Sequence, residues 1–300
     1  MRLGTLLAVL AVALWFGGNA LATTGLTMDM PEIPPGVTIT IDGNLDDWRW
    51  AADAGYGYTE ADFFVVNGSD VPAEDLAFVV YLAWSDEENM IYVAVNVTDD
   101  VFNSDETTWI SSGLNDDSIG LYIDADQSGG MYGYDEAINY WSAEAQELLF
   151  SVGRAATGAQ LEGYDPFFVC VDPSREYWEV VQGVAKAPNA YYAANVEEPN
   201  WAVEIKMKIW DTLGPDPMST DDWVEHDLTE GETIGFGINI CDADAIDPAT
   251  GVAVRETGKA SFSGGEYWRN ADDFSEAILL PAPEVAVSPA SWGSLKALYR

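Results

Sequence analysis

The sequence predicts an all-β fold, an antiparallel β-sandwich of the jelly-roll or immunoglobulin-like two-sheet type with one short helical insertion. Two observations carry this. Short runs rich in Val, Ile, Tyr, Phe and Trp recur along the chain, and clusters of Gly, Asn, Asp and Pro separate them. Few stretches show helical periodicity, and strands without intervening helices pack as two sheets. Hydrophobic residues make up 48% of the 300 residues and aromatics 12%, enough to fill such a core and to exclude a disordered chain.

The elements follow in order. Arg2, the apolar run Leu3 to Phe16 and the Ala20-Leu21-Ala22 site read as a secretory signal peptide over 1–22. That run is too short for a membrane span, so the mature chain is expected to be secreted, extracellular or periplasmic, with no membrane span. A proline-containing linker is expected over 23–36, the sandwich domain over 37–281, and a separate tail over 282–300. Val37–Ile41 alternates with period 2 and opens the series of strands. Further strands are expected at Leu76–Trp84, Ile91–Val97, Ser118–Ile123, Leu148–Val152, Phe167–Val171, Tyr177–Val184, Trp201–Ile209, Thr233–Cys241, Ala260–Phe262 and Ala277–Leu280. Helix is expected over Glu136–Leu149, with a helical turn near Ala51. Trp84, Trp178, Trp201 and Trp210 lie in or beside strands and are expected in the core. The tail carries Lys296 and Arg300 and reads either as a disordered terminus or as a tag that contacts the cell surface or secretion machinery.

Charge narrows the function. With 51 acidic against 12 basic residues and a net charge of −39, the chain repels phosphate backbones and anionic membrane surfaces. Nucleic acid is excluded as a partner. The catalytic inventory is thin. His226 is the one histidine, and no G-x-S-x-G, H-E-x-x-H or P-loop motif occurs. A non-enzymatic role is expected.

Two clusters suit a hard cation. Asp124-Ala-Asp126-Gln-Ser128-Gly129 alternates oxygen side chains ahead of a turn glycine, with Asp135 at the twelfth position of the loop. Asp242-Ala-Asp244 directly follows a strand. Each reads as a calcium site or as a solvated turn. The Asp42–Asp47 turn is a third candidate, or a hydrogen-bonding cap. Cys170 and Cys241, both in strand-like runs of an exported chain, are either paired or two buried thiols.

A sugar ring offers an apolar C–H face to an aromatic ring and hydroxyls to nearby polar groups. Trp109 and Trp268 both lie in polar loops, with Asn115 and Asp117 after the first and Arg269 after the second. They are the candidate ligand-binding residues. The alternative for each tryptophan is a packing plug.

Eight segments in order complete the reading: Ile41–Trp48, Leu82–Asp86, Met90–Val95, Val97–Val101, Asn115–Asp124, Trp201–Ile209, Gly235–Asp244 and Trp268–Phe274. Together they resemble the family 9 carbohydrate-binding modules, within the DOMON-like β-sandwiches. The resemblance implies bound calcium and a sugar held between two tryptophans, matched here by Trp109 and Trp268. Two departures stand out. The family's Asp-Ser-Val-Glu reads Asp117-Ser118-Ile119-Gly120, and a family Arg has no counterpart near Asn139–Trp141. The expected function is a secreted, calcium-stabilised carbohydrate-binding module. The alternatives are a structural or adhesive extracellular module that kept the fold and lost the site, and a haem-binding relative using His226 or a Met.

Overall fold

The computed structural model describes residues 25–105, 115–132, 143–158, 165–171, 175–216, 218–249, 251 and 253–284. The signal-peptide segment 1–22, most of the tail 282–300, Trp109 and Asp135 lie outside the described residues. Among the described residues seventeen strands run in chain order: β1 (Thr27–Pro31), β2 (Tyr58–Thr59), β3 (Phe64–Gly68), β4 (Leu76–Ser85), β5 (Met90–Asp99), β6 (Ser118–Asp124), β7 (Gln146–Ser151), β8 (Phe167–Val169), β9 (Ala190–Glu197), β10 (Asn200–Met207), β11 (Trp210–Thr212), β12 (Val224–Glu225), β13 (Thr233–Asp242), β14 (Ala245–Ile246), β15 (Ala253–Val254), β16 (Thr257–Ala260) and β17 (Glu276–Leu280).

They build the expected sandwich. An eight-stranded sheet runs β1-β17-β13-β6-β7-β8, with β16 bridging β13 and β3, and a five-stranded sheet runs β2-β4-β5-β10-β9. All pairings are antiparallel except β1 on β17. Alternation places the apolar residues between the sheets. Leu76, Phe78, Val80 and Leu82 of β4 face Ile119, Leu121 and Ile123 of β6 in one cluster. Trp84, Trp178, Trp201 and Trp210 are all buried, as their strand-side positions imply.

The outer faces are also covered. Ile39, Trp48 and Trp50 pack on Ala83 and Tyr92, roofing the five-stranded sheet. Tyr122, Tyr132, Phe262, Tyr267 and Phe274 form an aromatic cluster on the outside of the eight-stranded sheet. Tyr122 meets Phe262 and Tyr267 edge-on, each at 5.2 Å between centroids.

Several expectations are corrected. The segment 23–36 is more than a linker, because Thr27–Pro31 is hydrogen-bonded along β17. Val37–Ile41 buries its alternate residues but has no ladder partner. Its Val37 N–H closes a turn on the Pro34 carbonyl at 3.0 Å, and its Thr40 N–H goes to the Asp47 carboxylate at 3.0 Å. Tyr177–Val184 is a helix, Trp178–Val181, running into a 3-10 turn, Gln182–Ala185. The spacing of Trp178, Val181 and Val184 buries one helical face. Gln182 then pairs its amide with both the N–H (2.8 Å) and the C=O (2.9 Å) of Val169, standing in for a neighbouring strand on β8. The end of the expected helix Glu136–Leu149 is β7, since pairing on both sides by β6 and β8 outweighs local helical preference. The helical turn near Ala51 is the helix Arg49–Ala54.

Cys170 and Cys241 are buried free thiols. Cys170 continues from β8 while Cys241 lies in β13, and β6 and β7 stand between. Three strand spacings amount to about 14 Å, more than twice the span of a disulfide.

Candidate functional site

The Asp42–Asp47 turn is structural. Glu204, projecting from β10 under the roof of the five-stranded sheet, accepts from the N–H of Asp42 (3.0 Å) and Gly43 (2.8 Å) and from Trp48 Nε1 (2.9 Å). Gly43 has φ +83°, and a Cβ there would stand 2.9 Å from the Ala194 carbonyl carbon, so the turn approaches β9 only as glycine. Asn44 caps the following 3-10 turn through Asp46 N–H.

The Asp124 loop is closed by its own bonds. Asp124 accepts from Gly129 N–H at 2.9 Å and Ser128 Oγ at 3.4 Å, and Asp126 accepts from Ser128 N–H at 3.0 Å. Burial pushes the Asp124 carboxyl up to about 6, with Asp126 adding repulsion.

At the far end of β6 the two sheets meet in a concentration of carboxylates. Asp75 precedes β4, and Asp99 ends β5 of the five-stranded sheet, with Asp100 following it. Asp117 precedes β6, and Asp242 ends β13 of the other sheet, with Asp244 two residues on. Their oxygens sort into three sets close enough for one ion: Asp75, Asp242 and Asp244; Asp99, Asp117 and Asp242; and Asp99, Asp100 and Asp244. Asp117 and Asp242 are fully buried and Asp99 is 5% exposed. Asp117 is fixed by Asn103 N–H (2.7 Å) and Ala243 N–H (3.1 Å). Both oxygens of Asp242, and one each of Asp75, Asp99 and Asp244, are buried without a hydrogen-bond partner. Among the described residues no lysine, arginine or histidine forms an ion pair with any of the six. Burial first, then mutual repulsion, raises Asp117 to about 9, Asp242 and Asp244 to about 8, and burial also raises Asp99 to about 6. A divalent cation would satisfy the orphaned oxygens and pull these values back down. The donors are all carboxylate oxygens, which suits a hard ion such as calcium. Of the expected metal residues, Asp242 and Asp244 belong here. Asp117, expected at the sugar site, belongs here too, and is buried away from solvent. Asp75, Asp99 and Asp100 were not singled out in the sequence, because nothing in their spacing tells that two sheets bring them together.

The tryptophan side is different. Trp268 is 48% exposed, at the tip of a loop that turns through Gly264 (φ +119°) and Gly265 (φ +95°). A Cβ on Gly265 would fall 2.4 Å from the Asp273 carboxylate carbon, and that carboxylate accepts Glu266 N–H at 2.7 Å. Trp268 stands edge-on to Tyr267, with centroids 5.3 Å apart. Arg269 beside it is paired with Glu266. Asn115 is half-buried at the start of the segment leading into β6. Below the loop, the aromatic cluster covers the sheet. A Cβ at Gly120 would stand 3.0 Å from the Tyr122 hydroxyl, so that ring leans over the position of the expected family carboxylate. The strand after β6 is β7, which places Leu149 opposite Gly120 and Glu147 opposite Tyr122. Glu147 is buried, hydrogen-bonded with Cys170 and Tyr122, and its carboxyl is pushed up to about 8 by burial. His226 is held between Asp211 (2.5 Å) and Glu232 (3.2 Å), both ring nitrogens engaged.

The family model for carbohydrate family 9 binding domain-like proteins matches residues 41–281. The chain belongs to this family. Family 9 modules bind carbohydrate and are a non-catalytic domain type, and the sandwich is theirs. One similar solved structure is a family 9 module from Caldicellulosiruptor kristjanssonii in complex with cellotriose. It has 16% identity and a TM-score of 0.53, with 88% of this chain and 98% of that one covered. Another, from the same organism in complex with glucose, has 15% identity and a TM-score of 0.51, covering 87% and 100%. No curated protein matches the chain. Among the described residues no helix is long and apolar enough to cross a membrane.

Proposed function

We propose that this family 9 module is an exported protein that stacks a sugar on its loop tryptophans and is stabilised by calcium. The observation that carries the reading is Trp268, an indole nearly half exposed on a glycine-turned polar loop of a family 9 sandwich. A large aromatic held outward without a packing partner on its free face suits a sugar ring. Trp109, also in a polar loop, is the proposed partner of the clamp. Arg269 and Asn115 would bond the hydroxyls. The carboxylate cluster supports calcium as a structural ion, held by Asp99, Asp117 and Asp242 with Asp244 beside them, where it would supply positive charge between the sheets. The signal-peptide pattern supports export.

The sealed sheet face beneath Trp268 favours a second reading, a structural module without a sugar site. Tryptophan fluorescence titration with glucose, cellotriose and a broad glycan array separates the two. Trp268→Ala is expected to weaken binding by about 2 kcal/mol and to change stability by no more than about 0.5 kcal/mol. Failure of every glycan to bind, with Trp268→Ala lowering the melting temperature, would leave the structural reading.

A further inference from the structure

On the outer face of the five-stranded sheet, β9, β10 and β5 set Tyr191, Lys206 and Tyr92 in one row. Ile39, Trp48 and Trp50 roof the β5 end of that row. The β9 end is left open, so Tyr92 is buried while Tyr191 is 40% exposed. Beside Tyr191 lies a pocket of about 860 Å³, lined by Ile39, Ile41, Asp165, Lys186 and Lys206 among others. Small-molecule sites run to about 300–1,000 Å³. We propose that this pocket is a second carbohydrate site, one that takes a neutral oligosaccharide. It lies on the sheet away from Trp268 and does not depend on the loop tryptophans.

The lining has the parts a sugar needs. The exposed Tyr191 ring takes the apolar C–H side of a pyranose. The Lys206 ammonium lies 5.3 Å from the centroid of that ring and 5.7 Å from that of Tyr92, and it is paired with Glu88 at 2.6 Å. Its position is therefore set before any ligand arrives. Lys186 Nζ and Asp165 Oδ2 stand 3.4 Å apart, both partly exposed. That is wider than a tight charge-assisted hydrogen bond of about 2.7–2.9 Å. A donor and an acceptor side by side match two neighbouring hydroxyls of one ring, the first accepting from Lys186 and the second donating to Asp165. The Lys186 carbonyl accepts from Asn189 N–H (2.8 Å) and Ala190 N–H (3.0 Å), which fixes that lysine's backbone against the start of β9. Charge selects the ligand. Each lysine is matched by one carboxylate, so these four groups sum to zero, and a chain of net charge −39 repels an anionic glycan. A wholly apolar ligand would strip water from both ion pairs and return no hydrogen bond. A neutral polyol with an apolar ring face meets both demands.

Residue-resolved NMR tests it on the full chain labelled with nitrogen-15 at tyrosine, lysine and tryptophan. The probes are cellotriose, xylotriose and mannotriose, with trigalacturonate as the charged comparison. At least one neutral trisaccharide is expected to shift the amide signals of Tyr191, Lys186 and Lys206, equally in wild type and in Trp268→Ala. Tyr191→Ala, at an exposed position, is expected to keep its fold and to weaken the response at Lys186 and Lys206 at least tenfold. The Trp268 indole signal reports the other site separately, so failure at one is distinct from failure at the other. Silence of all three pocket signals with every neutral probe overturns the second site, whatever the indole does. Loss of the pocket shifts in Trp268→Ala also overturns it, since the pocket would then only report binding at the loop. A response to trigalacturonate alone overturns the choice of a neutral ligand.

Discussion

Glu204 shows how much one side chain can hold. Its carboxylate collects two backbone N–H groups and an indole N–H from a turn more than a hundred residues away in sequence. Glu204→Ala would strand three donors under the roof of Ile39, Trp48 and Trp50. The expected cost is about 3 kcal/mol or more, measured by urea denaturation, and an unchanged midpoint would show that water replaces the carboxylate. Glu147 makes a prediction in pH. Burial raises its carboxyl from 4.5 to about 8 in the folded protein. The folded state thus binds this proton more tightly than the unfolded chain does. Its contribution is fully present below about pH 4.5 and is lost as pH rises through about 8. Glu147→Gln, neutral at every pH, is expected to reduce the fall in stability between pH 6 and pH 9. Equal slopes for variant and wild type would contradict the buried neutral acid. Neither residue was legible in the sequence. Trp201, Val203 and Ile205 alternate inward, which sends Glu204 to the other face of its strand, and alternation alone cannot tell that a distant segment covers that face. Trp268 was legible because an indole among Gly, Glu, Arg and Asn has no strand pattern to explain it.

At the scale of elements, the strands read well wherever alternation coincided with pairing on both sides, as in β4, β5, β6, β10 and β13. The misreadings share a cause. Val37–Ile41 has the period of a strand, yet its hydrogen bonds end on Pro34 and Asp47 rather than on a neighbouring strand. Tyr177–Val184 is apolar enough for a strand, but its buried residues fall three apart. Periodicity reports which residues face the core and leaves the backbone's partner open. The same limit applies to the thiols. Cys170 and Cys241 both occupy apolar strand-like runs, and only the strand order shows β6 and β7 between them. Denaturing alkylation without reductant is expected to add two labels per chain to the intact mass. An unlabelled protein two mass units lighter than the reduced one would overturn this strand order, because no local shift closes a gap of about 14 Å.

At the scale of the whole molecule, a chain of net charge −39 gathers six carboxylates where its sheets meet, and the sign of that arrangement is itself testable. Without a cation the cluster opposes folding, since bringing Asp99, Asp117, Asp242 and Asp244 together strips them of water and sets like charges side by side. With a cation the same groups fasten one sheet to the other, and binding to the native state alone stabilises by about 2.7 kcal/mol when free calcium is a hundred times the dissociation constant. For a domain of this size that corresponds to roughly 5–10 °C in melting temperature, so EDTA is expected to lower the melt by about that amount. Asp242→Asn sharpens the test, because its effect should reverse. In EDTA the variant has one charge fewer in a repelling cluster and is expected to melt above wild type. In millimolar calcium it lacks a ligand and is expected to melt below. A cluster that served only as a hydrogen-bonded cap would give the variant the same sign in both solutions. Two melting curves per protein, with and without calcium, thus distinguish a clamp that needs its ion from an acidic turn that does not.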